Sequence, residues 1–219
     1  GRDLQLADLV VIGSHCVGLD YLLGRLQDLG IRTKFLAVGS TAGLEATRRG
    51  ECDLAGIHLL DAETGQYNRP FLSDDLQLIR GYGRMQGVVF RRGDERFEGR
   101  EAAGAIEAVK NPPGCLMVNR NRGSGTRILI DQCLNGSRPV GYAVQARNHN
   151  AVAAAIAQGR ADWGVAIETV TRHSDLGFLP LVEERYDFVV PKSRLHRQAV
   201  AAFGDLLQRM DLEDFGFRR

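Results

Sequence analysis

The fold is set first by the segment Leu9-Val10-Val11-Ile12-Gly13-Ser14-His15, in which a short apolar run ends at a glycine followed by a serine. Leucine then recurs at helical spacing between Gly18 and Leu29, and Gly30 ends that pattern. A buried strand, a small polar turn and an amphipathic helix in this order predict the first unit of an α/β fold.

The same alternation extends along the rest of the chain. Two long extended passages are predicted, and the first is interrupted by three glycines (Gly81, Gly83 and Gly87). Strand–helix–strand units favour parallel pairing with right-handed crossovers. The predicted strands are 33–38, 53–57, 115–118 and 163–167, the helices are 41–49, 101–109, 124–134, 149–158 and 195–210, and the extended passages are 75–91 and 178–190.

This pattern predicts an α/β, two-lobed architecture in which each lobe is a mostly parallel sheet flanked by helices, and two crossing strands join the lobes. Lobe 1 comprises residues 1–83 and 187–219, and lobe 2 comprises residues 84–186. Ligands of such folds bind at the carboxyl ends of strands, so we expect a ligand cleft between the lobes.

The composition excludes several functional classes. The 219 residues include 28 Lys and Arg and 27 Asp and Glu, a formal net charge of +1, which argues against a strongly basic nucleic-acid-binding chain. Apolar residues form 44% and charged residues 25% of the chain, which is the composition of a globular protein rather than a disordered one. No apolar run approaches the roughly 18–20 residues that a membrane-spanning helix needs.

The cysteine pattern predicts buried free thiols rather than a disulfide framework. Cys16, Cys52, Cys115 and Cys133 form no C-x-x-C pair, and three of them lie beside apolar neighbours. The start, Gly1-Arg2-Asp3-Leu4, shows no signal pattern, which a mature or excised chain would also lack. We therefore expect a reducing, cytoplasmic location.

Three loops between a predicted strand and a predicted helix share one chemistry. Each places free backbone N–H groups and a Ser or Thr hydroxyl at the positive end of a helix, and a single loop of this kind is ordinarily a plain N-cap. Three in one chain favour convergence on one bound anion. The loops are Gly13-Ser14-His15-Cys16-Val17-Gly18, Val38-Gly39-Ser40-Thr41-Ala42-Gly43 and Asn121-Arg122-Gly123-Ser124-Gly125-Thr126-Arg127.

Arg127 strengthens the prediction of an anion site. It lies one turn into its helix, where a basic residue opposes the helix dipole unless an anion lies between them. Because a guanidinium binds oxyanions bidentately, we predict that Arg127 donates directly to the ligand. Arg122 is interpreted as an outer, solvated arginine, and Arg120-Asn121-Arg122 as a solvated face. A fourth helix start, Asn148-His149-Asn150-Ala151, is a further candidate, with N-capping by Asn148 as its simpler interpretation.

No catalytic or metal-binding pattern accompanies these loops. Ser14 and His15 are adjacent, and neighbours on one strand face opposite ways, so they make a poor nucleophile–base pair. Neither G-x-S-x-G nor the phosphate-binding G-x-x-x-x-G-K-[ST] motif occurs, and the five histidines lack zinc-ligand spacing. We predict no catalytic residue and no metal site.

Taken together, these motifs resemble the type II periplasmic-binding-protein superfamily, and more narrowly its cytoplasmic molybdate-binding branch. The Arg-Gly-Ser-Gly-Thr-Arg stretch is the most specific part, and the match runs from about Leu9 to Phe215. The residues that carry it are Gly13-Ser14-His15, Val38 to Leu44, Asp53 to Asp61, Asn119 to Arg127, Leu129-Ile130-Asp131, His149 to Ala153, Gly159 to Gly164 and Glu184-Arg185-Tyr186-Asp187.

The resemblance implies reversible binding of molybdate or tungstate between two closing lobes, with no catalysis by this domain and no other cofactor. In that branch the domain usually follows a helix-turn-helix segment or a molybdopterin biosynthesis protein. The chain therefore resembles an excised C-terminal domain, whose parent could be a molybdenumtransferase. Neither a membrane nor nucleic acid is an expected partner of this domain.

The predicted ligand-binding residues offer hydrogen-bond donors. Molybdate oxygens only accept hydrogen bonds at neutral pH, so backbone N–H, hydroxyl and guanidinium groups suit them. The set is Ser14, His15, Ser40, Thr41, Gly123, Ser124, Gly125, Thr126, Arg127, His149 and Asn150.

Two other functions stay open at this stage. One is an enzyme on the same fold that acts on a small anionic metabolite, with His15 or His149 as the general base. The other is a sensor of an organic solute, whose carboxylate Arg127 would hold.

Overall fold

A computed structural model describes residues 6–111, 114–172 and 174–219 and divides the chain into two units. Unit 1 comprises Gly1–Gly83 and Arg185–Arg219, and unit 2 comprises Arg84–Glu184. The elements follow in chain order as β1 (Leu9–Gly13), α1 (Val17–Asp28), β2 (Thr33–Ala37), α2 (Ser40–Arg48), β3 (Ala55–Ile57), β4 (Leu76–Arg91), α3 (Ala102–Val109), β5 (Met117–Arg120), α4 (Gly125–Leu134), β6 (Gln145–Ala146), α5 (His149–Ala157), β7 (Trp163–Ile167), β8 (Leu176–Pro191), α6 (Gln198–Arg209) and β9 (Phe217–Arg218).

Unit 1 is built on the strand–helix pattern with which the chain begins. Strands β1 and β2 pair in parallel, with Leu9 opposite Thr33, and β3 pairs antiparallel with the end of β8. The leucines of α1 that recur at helical spacing are buried, and they form one apolar core with Tyr82, Phe188 and Phe203. Phe203 belongs to α6, so the C-terminal helix completes the core of unit 1.

Unit 2 contains a second sheet region. Strand β5 pairs in parallel with both β6 and β7, whereas β4 runs antiparallel to β7, with Phe90 opposite Trp163. Trp163 is fully buried and packs with Phe90 and Phe97 in the core that faces α3 and α4. A second apolar cluster, which includes Val118, packs under α5.

The α/β class is confirmed, and the sheet regions are mixed because the two 16-residue strands β4 and β8 supply antiparallel pairs. Each of these strands continues from one unit into the other. The predicted glycine interruptions in β4 do not occur. Gly81 instead lies against the backbone of Tyr186, and a Cβ there would clash with the Tyr186 carbonyl oxygen.

Most element boundaries differ from the prediction by one to three residues, and two of these differences have an identifiable cause. Strand β5 starts at Met117, two residues late, because the Leu116 N–H donates to the Asp162 carboxylate at 2.7 Å instead of joining the sheet. Helix α6 starts at Gln198 because residues Lys192–Arg194 form a 3₁₀ turn ahead of it.

The prediction of free thiols is confirmed. Cys16, Cys52 and Cys115 are buried and Cys133 is half-buried, all unpaired by disulfides. Burial raises the pKa of the Cys115 thiol to about 11, which makes it a poor nucleophile at neutral pH. In the part of the chain that the structure describes, every helix is too short or too polar to cross a membrane.

The approach of α2 to β1 depends on glycine. A Cβ at Gly43 would lie 2.6 Å from the Gly13 Cα and 2.7 Å from the Ile12 carbonyl oxygen, both of which belong to the backbone. Gly43→Ala should therefore lower the free energy of unfolding by roughly 1–3 kcal/mol, as overpacking does. Urea denaturation followed by circular dichroism measures this change.

Gly24→Ala is the matched control, because Gly24 lies within α1 and a Cβ there meets nothing within 4 Å. This variant should gain about 0.5–1 kcal/mol from the higher helix propensity of alanine. Equal stabilisation by both substitutions would contradict the close packing of α2 on β1.

Candidate functional site

Two of the predicted serines in unit 1 meet through a histidine. The Ser14 Oγ lies 2.9 Å from the His58 Nε2, and the His58 backbone N–H donates to the Ser40 Oγ at 3.0 Å. Ser14, which follows β1, is further held by its own N–H, which donates to the Gly56 carbonyl oxygen at 2.9 Å. We call Ser14, His58 and Ser40 the serine–histidine cluster; it brings together the ends of β1 and β3 and the start of α2.

The helix starts beside this cluster lack side-chain caps. Gly39 is the N-cap of α2 and Cys16 the N-cap of α1, and neither makes a side-chain cap hydrogen bond. Gly39 has a φ of +89°, a conformation that glycine adopts without strain. The start of α2 lies at the end of β1, since the Gly39 N–H donates to the Gly13 carbonyl oxygen at 3.1 Å. Free backbone N–H groups at a helix start can bind an anion.

Tyr186 contacts two members of the serine–histidine cluster, Ser14 and His58. Its hydroxyl donates to the Ser14 carbonyl oxygen at 2.6 Å, and its ring stacks with the His58 ring at a centroid distance of 6.1 Å. A second stack on Tyr82, with centroids 5.5 Å apart, joins Tyr186 to the core of unit 1. The position of Ser14 is thus tied to the apolar core of unit 1.

The other two predicted residues of unit 1 are exposed, His15 and Thr41. The His15 Nε2 lies 2.7 Å from the Asp20 carboxylate, so this ring is directed at the first turn of α1. Their roles as ligand-binding residues stay predictions.

In unit 2, Ser124 is the N-cap of α4. Its Oγ accepts a hydrogen bond from the Arg127 N–H at 3.2 Å and donates to the Asn121 carbonyl oxygen at 3.1 Å. Gly123 has a φ of +85°, and Thr126 is almost fully buried. This loop has the predicted strand–turn–helix form, but the hydroxyl of Ser124 serves the cap.

The guanidinium of Arg127 has partners within its own unit. Its Nε lies 3.0 Å from both carboxylate oxygens of Asp131, its Nη1 donates to the Arg120 carbonyl oxygen at 3.1 Å, and the group lies 4.5 Å above the Tyr142 ring. Asp131 is thus the anion that balances Arg127 near the helix start. The contact of Arg127 with a ligand stays a prediction. The helix-dipole argument no longer supports it, because Asp131 already balances the charge of Arg127.

Arg120 is the arginine that the sequence analysis placed wrongly. It is the last residue of β5, only 6% exposed, because its strand lies between β6 and β7. Its Nε donates to the Ala146 carbonyl oxygen at 3.3 Å, its Nη2 to the Arg147 carbonyl oxygen at 3.4 Å, and its Nη1 lies 3.1 Å from the His149 Nδ1. The interpretation of a solvated face holds for the exposed Arg122 and is wrong for Arg120.

The hydrogen bonds of Arg120 all run to neutral acceptors. Among residues 6–111, 114–172 and 174–219, no carboxylate lies within 4 Å of its guanidinium nitrogens. Burial lowers the pKa of Arg120 to about 10, while the charge of Glu184 acts to raise this pKa and that of Arg84 to lower it. Arg120 remains a cation at neutral pH, held in a buried place without a paired anion.

Helix α5 brings His149 to Arg120. The Asn148 Oδ1 accepts from the Ala151 N–H at 2.8 Å, which confirms Asn148 as the N-cap. His149 then occupies the first position of the helix with its ring against Arg120, and Asn150 is exposed.

The structure brings Ser14 and Ser40 together in unit 1 and places Arg127 and His149 beside Arg120 in unit 2, whereas His15, Thr41 and Asn150 join neither group. The residues that sequence reasoning missed are His58, Tyr186 and Arg120. Two of them carried a usable signal, because His58 directly follows β3 and Arg120 ends β5, and strand ends are where ligands of such folds bind. The described residues contain no group of three or more His, Cys, Asp or Glu arranged to hold a metal ion.

The chain has the architecture of small-ligand-binding proteins: it is an α/β chain of two units, with hydrogen-bond donors at the helix starts that follow its strand ends. Residues 23–208 match the model of the PBP superfamily domain, and the chain belongs to this superfamily of periplasmic-binding-protein-like domains.

The chain is also similar to a curated protein and to several solved structures. The chain is 30% identical to the uncharacterized protein YvgK of Bacillus subtilis (strain 168), over 92% of this chain and 67% of that protein. Among solved structures it resembles an ABC-type phosphate transport receptor from Vibrio cholerae, with a TM-score of 0.66, 13% identity and coverage of 96% of this chain and 99% of the receptor. It also resembles the tungstate binding protein TupA from Desulfovibrio alaskensis G20, with a TM-score of 0.58, 15% identity and coverage of 91% and 89%.

The contacts of Arg127 predict a structural contribution to unit 2. Arg127→Gln removes the charge-assisted bonds to Asp131 and the contact with the Tyr142 ring, so it should lower the free energy of unfolding by roughly 1–3 kcal/mol. Chemical denaturation without added anion measures this. Arg122→Gln, at an exposed site in the same loop, should change stability by less than about 0.5 kcal/mol. Equal effects of the two substitutions would contradict the structural role of Arg127.

Proposed function

We propose that this chain is a non-catalytic binding domain for a small oxyanion, with molybdate or tungstate as its ligand. One observation carries the proposal: Arg120 is a buried guanidinium whose hydrogen bonds run only to neutral acceptors. A buried charge without a salt bridge is costly, and natural proteins keep such charges paired or in use for binding. A bound anion would supply the missing charge.

Unit 1 has hydrogen-bond donors of its own, at a helix start and on two serine hydroxyls. In unit 1 the uncapped first turn of α2 and the serine–histidine cluster offer N–H and O–H groups, and the hydrogen bonds within that cluster involve no carboxylate. A tetrahedral dianion such as molybdate accepts hydrogen bonds at every oxygen and donates none, so these donor groups complement it.

The similar structures support the fold and leave the ligand open. Proteins described as a phosphate transport receptor and a tungstate binding protein share the fold, but at 13% and 15% identity they support the fold alone. The choice of molybdate or tungstate rests on the donor chemistry and on the motif resemblance. We further propose that binding serves molybdenum cofactor synthesis or its regulation in the cytoplasm, through an attached molybdopterin biosynthesis or helix-turn-helix domain.

Calorimetric titration with molybdate, tungstate, sulfate, phosphate and acetate tests the ligand class. We expect one molybdate or tungstate per chain, and a thermal stabilisation that corresponds to about 2.7 kcal/mol at a hundredfold excess over the dissociation constant. Sulfate and acetate should bind more weakly or not at all. The proposal would be overturned if acetate bound tightly or if no anion of the series bound at all.

The role of Arg120 is tested by its replacement with an uncharged side chain of similar length. Arg120→Met should weaken molybdate binding by roughly 2–5 kcal/mol, or about thirty-fold to several thousand-fold, because the ligand loses a buried charge-assisted contact. Without ligand, the same variant should be as stable as the parent or more stable, because a buried charge that forms no salt bridge has been removed.

Arg122→Met is the matched control, since it removes the same charge at an exposed position two residues away. It should leave both the affinity and the stability nearly unchanged. If Arg120→Met destabilises the free protein and leaves the affinity intact, Arg120 is a structural residue and the proposed site is wrong.

A further inference from the structure

The hydrogen bond between Arg120 and His149 fixes the charge of the histidine ring. The Arg120 Nη1 lies 3.1 Å from the His149 Nδ1 and 3.3 Å from its Nε2. A guanidinium only donates hydrogen bonds, so the ring nitrogen that contacts it must be an unprotonated acceptor. An imidazolium has no such nitrogen, because both of its nitrogens carry protons. His149 is therefore neutral while it contacts Arg120, and either tautomer of the neutral ring satisfies this contact.

Two positive charges keep this ring neutral. The first is Arg120 itself, whose pKa of about 10 leaves it a cation at neutral pH. The second is the positive end of the dipole of α5, because His149 is the first residue of that helix, after the N-cap Asn148. An anion bound at Arg120 would oppose both charges and would attract a proton to the ring.

The charge of the proposed ligand exceeds the charge of Arg120. Molybdate carries two negative charges, whereas the guanidinium carries one positive charge and is only 6% exposed. An unbalanced charge in a buried place is costly, so a dianion there favours a second cation beside it. His149 already contacts Arg120, and imidazole is the side chain that ordinarily gains a charge near neutral pH.

The other charged groups around His149 ordinarily keep their charge near neutral pH. Helix α5 packs against β5, β6, β7 and the 3₁₀ turn Glu168–Thr171. The charged side chains at or after the carboxyl ends of these strands are Arg120, Arg122, Arg147, Glu168 and Arg172. Guanidinium and carboxylate groups ordinarily do not titrate between about pH 6.5 and 8.5. The charges of Arg84 and Glu184 also act on Arg120, but these two residues form a salt bridge with each other and have opposite signs.

We propose that His149 binds the anion as an imidazolium. When a dianion binds at Arg120, His149 takes up one proton from the solvent, and both side chains then donate to the anion instead of one donating to the other. This inference rests on the proposed function and adds the charge of the ligand that the site takes, which is two negative charges. A monoanion is balanced by Arg120 alone and binds without the proton.

The affinity for molybdate should rise as the pH falls. The bound form holds one proton more than the free form, so binding takes up a proton, and the affinity changes by at most about tenfold per pH unit. Between about pH 8.5 and 6.5 we expect a rise of roughly ten- to hundred-fold. Calorimetric titration in two buffers of different ionisation enthalpy measures the affinity together with the number of protons taken up, which should approach about one per molybdate.

Perrhenate is the matched control ligand. It is a tetrahedral oxyanion similar in size to molybdate but carries only one negative charge. Its binding should take up few or no protons and should change by no more than a few-fold over the same pH range. The ratio of molybdate to perrhenate affinity should therefore fall as the pH rises. A merely structural contact between His149 and Arg120 would not change this ratio.

His149→Asn connects the proton to the ring. Asparagine still offers Arg120 an acceptor but cannot become a cation, so the proton uptake should vanish. The variant should bind molybdate with the same affinity across the pH range, within a few-fold of the affinity of the parent at about pH 8.5. His196→Asn makes the same substitution at an exposed position of unit 1 and should keep the pH dependence of the parent.

If His149→Asn does not fold, a proton NMR titration of the His149 ring in the parent decides in its place. With molybdate present, the ring should become protonated at a higher pH than without it, whereas perrhenate should cause a smaller change. Equal titration of the ring with and without molybdate would contradict the proposal.

The outcomes separate this inference from the proposed function. If the parent binds molybdate without proton uptake, or if the uptake persists in His149→Asn, the role of His149 is wrong and the oxyanion function stands. If perrhenate binding takes up as many protons as molybdate binding, the charge rule is wrong. If the parent binds no oxyanion, both proposals fall.

Discussion

A positive charge that is buried without a paired carboxylate is the constraint around which the second unit is organised. Arg120 ends β5, and the acceptors that hold it are the Ala146 and Arg147 carbonyl oxygens and the ring of His149. These hydrogen bonds fix the direction of the guanidinium but form no salt bridge, and the charges of Glu184 and Arg84 act on Arg120 in opposite senses. The free-energy cost of burying this charge is offset by the apolar clusters on either side of β5, which stabilise the strand that carries Arg120.

Two arginines of the same segment, Arg127 and Arg120, differ in whether a carboxylate forms a salt bridge with them. Arg127 has its carboxylate four residues away on its own helix, and its contacts with the Arg120 carbonyl oxygen and Tyr142 tie α4 to β5. Arg120 has no such partner among the residues that the structure describes. Arg127 therefore stabilises the backbone at Arg120 through the Arg120 carbonyl oxygen, whereas the side chain of Arg120 carries the buried charge.

Much of the fold could be predicted because the spacing of apolar residues and the glycines that end the elements indicate the same boundaries along the chain. The leucine spacing of α1 and the apolar run of β7, which was predicted with its correct bounds, report burial directly. Strand β5 was misplaced because the side chain of Asp162, 46 residues away, takes the N–H of Leu116. No local pattern contains such a contact.

The site was predictable at the level of loops and less so at the level of side chains. Ser14 and Ser40 were identified from strand ends, whereas His58, which joins them, lies 18 residues beyond Ser40 and shows no motif of its own. The spacing of Arg127 and Asp131 is a recognisable helical ion pair that would have shown the arginine to be balanced. The burial of Arg120 follows from the pairing of β5 on both sides, which only the sheet order reveals.

The most direct test of the central claim is a crystal structure of the chain grown with tungstate, in which anomalous scattering from tungsten locates the anion. We expect an ordered tungstate whose oxygens lie about 2.7–2.9 Å from the guanidinium nitrogens of Arg120, the distance of a charge-assisted hydrogen bond. An ordered tungstate elsewhere, with Arg120 still held only by Ala146, Arg147 and His149, would contradict it.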